Sequence, residues 1–146
     1  MTAAVEILIV EDNARDLELT MRALAKHNLG NQVVAARDGA QALDFLFARG
    51  AYEHRAIAEG PHVIFLDMKL PKVDGIEVLR QIKENERTRM IPVVMVTSSA
   101  QESDMQESYR LGVNSYVVKP IDFDAFVKTI ADLGFYWLAV NRLPSL

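Results

Sequence analysis

His62-Val63-Ile64-Phe65-Leu66-Asp67-Met68-Lys69-Leu70-Pro71-Lys72-Val73-Asp74-Gly75 decides how this chain is read. Four apolar residues run straight into an aspartate, and a proline-containing turn follows. A short continuous apolar run bounded by turn signals predicts a strand buried on both faces. Asp67 then stands where that strand leaves the sheet. In open parallel sheets the carboxyl ends of the strands are where ligands and chemistry collect. Asp67 is therefore the first candidate functional residue.

The same pattern recurs on either side of this stretch. Upstream, Val5 to Val10 is a β-rich run ending at Glu11-Asp12-Asn13, and Asn13 is a helix cap with Asp16 beside the positive end of the helix dipole. Leu17, Met21, Leu24 and Ala25 then recur at helical spacing through Lys26, and Asn28-Leu29-Gly30-Asn31 closes the helix. Gln32 to Ala36 is a second strand, and Asp38-Gly39 opens a helix carrying Ala42, Leu43, Phe45, Leu46 and Phe47. Gly50 to Pro61 has no period and reads as an irregular loop with room for one helical turn. Downstream, Asp74 with Glu77 fits an acidic capping box before Ile76, Val78, Leu79 and Ile82. Pro92 to Thr97 is the fourth strand, and Ser98-Ser99 is expected to cap a helix that stops at Leu111-Gly112. Asn114 to Val118 is the fifth strand, and Asp122 caps a last helix with Phe123, Phe126, Val127 and Ile130 on one face. Strands alternating with helices predict an α/β fold, a five-stranded parallel sheet with helices on both faces.

With 146 residues, half of them hydrophobic and a quarter charged, the chain has the size and composition of one globular domain. There is no cysteine, which excludes a disulfide framework or a thiolate metal site. No signal-peptide pattern opens the chain, and no apolar stretch is long enough to span a bilayer, so a cytoplasmic location is expected. A net charge of −4 argues against a broad nucleic-acid-binding face. His27, His54 and His62 lie far apart and lack metal-ligand spacing.

Four strand ends deliver Glu11-Asp12, Asp67, Thr97 and Lys119 to one edge of the sheet. Two carboxylates about 4 Å apart repel by roughly 4 kcal/mol at an effective dielectric of about 20. Lys119 neutralises one charge, and a divalent cation would remove the excess. An all-oxygen donor set with room for water suits Mg²⁺ better than zinc. Such a site can accept a phosphoryl group, with Thr97 donating to its oxygens and Asp67 as the nucleophile. Taken singly, each residue has an ordinary explanation as a turn, a cap or a solvated side chain. Their joint placement is what carries the reading.

The pieces Ile9-Val10-Glu11-Asp12, Asp38-Gly39, Leu66-Asp67, Leu70-Pro71, Asp74-Gly75, Val96-Thr97-Ser98 and Tyr116-Val117-Val118-Lys119-Pro120 resemble the receiver domains of two-component response regulators, over roughly Val5 to Ala131. The resemblance implies a flavodoxin-like strand order 2-1-3-4-5. It implies that Asp67 is phosphorylated by a sensor histidine kinase. It also implies that Asp12 ligates Mg²⁺ directly, with Glu11 reaching it through water and the backbone carbonyl of Lys69 as a further ligand. Thr97 and Tyr116 would be the switch pair, and Lys119 the phosphate-binding lysine. A receiver catalyses only its own phosphorylation and dephosphorylation, and it signals through the face built by the fourth helix, fifth strand and fifth helix.

The loop 50–61 and the ending Phe135-Tyr136-Trp137-Leu138, then Leu143-Pro144, resemble the small response regulators paired with bacterial phytochromes. The expectation is a single receiver domain over 1–146, with a core over about 5–131, a last helix and tail over 122–146, and no output domain. Phe135 to Leu138 is more apolar surface than a one-sided helix can bury. It either folds back onto the sheet or forms a two-fold homodimer through the last helix and tail. Rival functions fare worse. A dehalogenase-type phosphatase needs a second aspartate two residues after the nucleophile, where this chain has Lys69. A flavin carrier needs a phosphate-cradling loop after the first strand, and Glu11-Asp12-Asn13 would repel a phosphate. A receiver-like interaction module whose phosphorylation is dispensable is the remaining alternative.

Overall fold

The computed structural model describes residues 5–29, 32–56 and 60–144. Five strands, β1 (Ile7–Val10), β2 (Val33–Ala36), β3 (Val63–Leu66), β4 (Val93–Thr97) and β5 (Ser115–Val118), alternate with five helices. These are α1 (Ala14–Lys26), α2 (Gly39–Leu46), α3 (Gly75–Glu84), α4 (Glu102–Arg110) and α5 (Phe123–Phe135). The strands form one parallel sheet in the order β2-β1-β3-β4-β5.

Every residue of β1, β3 and β4 is buried, because helices cover both faces of the sheet. Alternation along the strands divides them between two layers. Leu8, Val10, Ile64, Leu66 and Met95 pack with Ala42, Leu43, Phe45, Leu46, Val78, Leu79 and Ile82 from α2 and α3. Ile7, Ile9, Val63, Phe65, Val94 and Val96 pack with Ala23, Leu24, Phe126 and Ile130 from α1 and α5. Helix α4 buries only Ser108. With so little apolar anchoring it is the helix most easily displaced.

Register is what positions the site. Val10 lies beside Leu66 and Leu66 beside Met95, so β1, β3 and β4 end level with one another. The next residues extend the ladder, with Asp67 N–H donating to the Val10 carbonyl (3.0 Å) and Lys119 N–H to that of Thr97 (2.7 Å). Glu11, Asp67 and Lys119 are thereby fixed at one edge by backbone bonds. The loop after Asp67 is braced from below. Gly75 N–H donates to the Met68 carbonyl at 2.8 Å, and a side chain at 75 would place its Cβ 2.2 Å from the Asp67 carbonyl oxygen.

Asn13, Asp38, Asp74 and Asp122 cap their helices as the sequence predicts, each accepting from the backbone N–H three residues on. Three details differ from the sequence expectation. Helix α4 starts at Glu102 after an uncapped Gln101, because the Ser99 hydroxyl is committed to the Asp104 carboxylate (2.5 Å). On α1 the inner stripe holds Thr20, Ala23 and Leu24, while Met21 and Ala25 face outward. Thr20 tolerates burial because its hydroxyl donates to the Asp16 carbonyl at 2.8 Å. On α5 Phe126 and Ile130 are buried, but Phe123 is half exposed.

The irregular loop contains one 3-10 turn, Gly50–Tyr52, anchored by the Tyr52 ring edge-on to Phe45 with centroids 5.2 Å apart. Residues 57–59 of that loop, and Gly30 and Asn31 after α1, lie outside the described residues. Beyond α5 the chain widens into a π turn, Tyr136–Val140. Trp137 and Leu138 fold back against the α1/α5 layer, while Phe135, Tyr136, Val140 and Leu143 stay exposed. The tail therefore divides, half inward and half outward. Among the described residues no helix is long and apolar enough to cross a membrane, and His27, His54 and His62 are all exposed.

Candidate functional site

Each of the expected strand-end residues arrives at the same edge. Among the described residues, Glu11, Asp12 and Asp67 form a cluster whose ligand oxygens all lie within 4.8 Å of one another. Glu11 and Asp67 are buried and Asp12 is exposed, so the cluster has a closed floor and an open mouth. Lys119 closes one side. Its Nζ lies 2.6 Å from Glu11 Oε1, 2.9 Å from Asp16 Oδ2 and 3.3 Å from Asp67 Oδ2. The other Asp67 oxygen accepts from Met68 N–H at 2.7 Å, which fixes the carboxylate plane. Glu11 Oε2 accepts from Asn13 N–H at 3.2 Å.

Two contacts were not readable from the sequence. Asp16 looks like a residue serving the α1 dipole, yet it is also a partner of Lys119, 103 positions away. Its position in the first turn of a helix that opens at the site is the one signal that could have found it. Arg37 Nη2 donates to the Asp12 carbonyl at 3.0 Å, tying the β2–α2 loop to the mouth of the site.

Electrostatics follow from burial and crowding. Burial pushes the Glu11 carboxyl up to about 7; Lys119 pulls it down and the neighbouring Asp67 pushes it up again. Burial alone would lower the Lys119 ammonium, but its bonds to Glu11 and Asp16 and the charge of Asp67 hold it well above the ordinary lysine range. Lys119 is thus a fixed cation and not a proton donor at neutral pH. An oxygen-only cluster with excess negative charge and an open mouth fits a hard divalent cation that keeps part of its water. The residues present fit such an ion.

Thr97 is fully buried, and its hydroxyl accepts from Ser99 N–H at 3.3 Å. The half-buried Tyr116 donates its hydroxyl to the Ser99 carbonyl at 2.9 Å. Burial raises the Tyr116 pKa, so it remains a donor. Thr97 and Tyr116 are therefore coupled through the backbone of a single residue. Lys69, two positions past Asp67, is exposed beside the mouth. A cavity of about 890 Å³, lined in part by Phe47, His62, Met90 and Leu143, is built at the far end of the sheet and has no part in this cluster.

Residues 7–131 match the family model of the response regulator receiver domain. The chain belongs to that family. The receiver of Synechocystis sp. named response regulator Rcp1 is 37% identical over 139 residues, covering 95% of this chain and 92% of Rcp1. The crystal structure of Rcp1 in its Mn(2+)-bound form is similar with a TM-score of 0.89, over 97% of this chain and 99% of that one. The phosphorylated cyanobacterial phytochrome response regulator RcpA gives 0.90 at 37% identity, over 98% and 100% of the two chains. The bacteriophytochrome response regulator RtBRR is 55% identical, with a TM-score of 0.75 over 97% of this chain and 84% of that one. The flavodoxin-like order β2-β1-β3-β4-β5 is thus the receiver architecture.

Proposed function

We propose that this receiver acts as a stand-alone response regulator whose Asp67 accepts a phosphoryl group from a sensor histidine kinase. The observation that carries the reading is the Lys119 ammonium seated against both Glu11 and Asp67 at the end of β3. An Asp67 carboxylate oxygen attacks phosphorus as the phosphorus–nitrogen bond of a phosphohistidine breaks, and the imidazole takes up a proton as it leaves. Lys119 stays protonated and holds the transferred oxygens. Glu11, Asp12, Asp67 and the backbone carbonyl of Lys69 would hold Mg²⁺, which supplies positive charge to an over-acidic site. The Mn(2+)-bound state of Rcp1 and the phosphorylated state of RcpA support this assignment. Likeness to RcpA and RtBRR supports a bacterial phytochrome as the kinase, and the cytoplasm as the compartment. Purified chain should gain one phosphoryl mass from acetyl phosphate with Mg²⁺, or from a phosphorylated phytochrome kinase. A chain that gains none from either donor overturns the reading.

Metal binding should depend on pH through Glu11. With its carboxyl raised to about 7, a cation must displace a proton below that pH. Mg²⁺ affinity by calorimetry should fall by roughly tenfold from pH 8 to pH 6. A Glu11 titrating in the ordinary range would leave affinity flat across that interval. The metal-free protein has the opposite trend in stability. Between about 4.5 and 7 the folded chain holds a proton that the unfolded chain has released, so stability declines as pH rises.

Phosphorylation adds roughly −1.5 to −2 charge and strong acceptors at Asp67. In the proposed switch Thr97 turns its hydroxyl to the phosphoryl group, the Ser99 backbone shifts, and Tyr116 and the weakly anchored α4 repack. Thr97→Ala should still take up phosphoryl but lose the accompanying change in the Tyr116 ring signals by NMR. Retention of that change in full would break the coupling.

The exposed half of the tail supports a homodimer through α5 and the π turn, since Phe135, Tyr136, Val140 and Leu143 gather outside the core. Sedimentation should show dimers at micromolar concentration that Phe135→Glu dissociates. Monomers throughout, with and without a phosphoryl mimic, would exclude this interface.

A further inference from the structure

The Lys119 ammonium has three N–H donors and three carboxylate partners. Glu11 and Asp67 belong to the acid cluster. Asp16 belongs to the first turn of α1. The three differ in exposure: the Glu11 side chain is 7% exposed, Asp67 10% and Asp16 27%. When a phosphoryl group joins Asp67, the ammonium meets new acceptors but has no spare donor. One present bond must then be given up. Releasing Glu11 would strand a buried carboxylate without its cation, the costliest choice. A released Asp16 keeps two compensations: water at its more open face, and the positive end of α1, in whose first turn it lies.

We propose that Asp16 is a positioning residue that parks Lys119 in the resting protein and competes with the phosphoryl group on Asp67 for that ammonium. The inference rests on Asp67 being the phosphoryl acceptor. Asp16 then sets a threshold, because each phosphorylation exchanges an Asp16–Lys119 bond for a phosphoryl–Lys119 bond. A partly exposed ion pair alters an equilibrium by up to about fivefold.

The test is beryllofluoride affinity with Mg²⁺ saturating, measured by calorimetry for wild type, Asp16→Asn and Asp16→Glu. Asp16→Asn keeps the fold, because both local bonds at this position use backbone atoms: its N–H donates to Asn13 Oδ1 and its carbonyl accepts from Thr20. Asp16→Asn should bind beryllofluoride about three- to fivefold more tightly, and Asp16→Glu should return to the wild-type value. The gain should persist at about 0.5 M KCl, since a direct bond in a partly buried site is poorly screened while a through-space charge effect is not. Equal or weaker binding by Asp16→Asn overturns the positioning role. So does a gain that vanishes in high salt, or one that Asp16→Glu shares. Wild type that binds no beryllofluoride at all overturns the phosphoacceptor assignment as well, which separates the two failures.

Discussion

Asp67→Asn should reduce phosphoryl incorporation from acetyl phosphate to background while leaving the fold intact. The neighbouring carboxylates are poor substitutes, each for its own reason. Glu11 is buried and, with its carboxyl raised to about 7, is partly protonated at neutral pH. Asp12 is exposed at the mouth, whereas the ammonium sits on Glu11, Asp16 and Asp67. The substitution is also structurally mild. An asparagine oxygen can still accept from Met68 N–H, and removing one of several crowded charges relieves repulsion. Urea unfolding of metal-free Asp67→Asn should therefore give a stability no lower than wild type. Mass spectrometry showing phosphoryl uptake at a wild-type rate would remove Asp67 from its role. Lost uptake together with a collapsed unfolding midpoint would show that the residue serves the fold instead.

Lys119→Met should be the converse case, injuring chemistry and fold together. The ammonium is 9% exposed and neutralises a cluster that has more carboxylates than cations. Breaking a buried ion pair by removing one partner costs about 3–5 kcal/mol, and here three carboxylates lose their cation at once. The expected loss at pH 7 without metal lies in that range by urea denaturation. Millimolar Mg²⁺ should restore part of it, because a cation bound only by the folded state adds its binding free energy to stability. Acidification should also help, since a protonated Glu11 no longer needs its partner. A destabilisation under about 1 kcal/mol, unaffected by Mg²⁺, would mean that the lysine is dispensable to the resting site.

Most of the architecture was legible in the sequence because its signals are local. A capping aspartate or asparagine three residues before its N–H partner, or an apolar run ending in a turn, needs no distant information. The α4 start was misread where two local claims competed. Ser99 could cap the helix or bond Asp104, and only the geometry of the β4–α4 loop decides for Asp104. Helix periodicity on α1 was misread by one position, because Thr20 can hide its hydroxyl on the Asp16 carbonyl and pass as an inner residue. In the candidate site, β-strand ends could be listed from the sequence, so Glu11, Asp12, Asp67, Thr97 and Lys119 were all named. Asp16 was not, because its contact with Lys119 depends on how α1 leans over the sheet. The tail resisted for a similar reason. A π turn shifts the phase of the helix, so no 3.6-residue pattern tells which of Phe135 to Leu138 point inward.

The close packing of Gly75 beneath Asp67 limits how this protein can be re-engineered. A methyl group there would collide with the backbone that carries the acceptor, so the floor of the site offers no position at which to tune it. Positions 69 and 99 are different: Lys69 is exposed, and Ser99 meets Thr97 and Tyr116 only through its backbone. A signalling lifetime made longer or shorter by design would therefore be written at the rim, with the acceptor and its support left untouched.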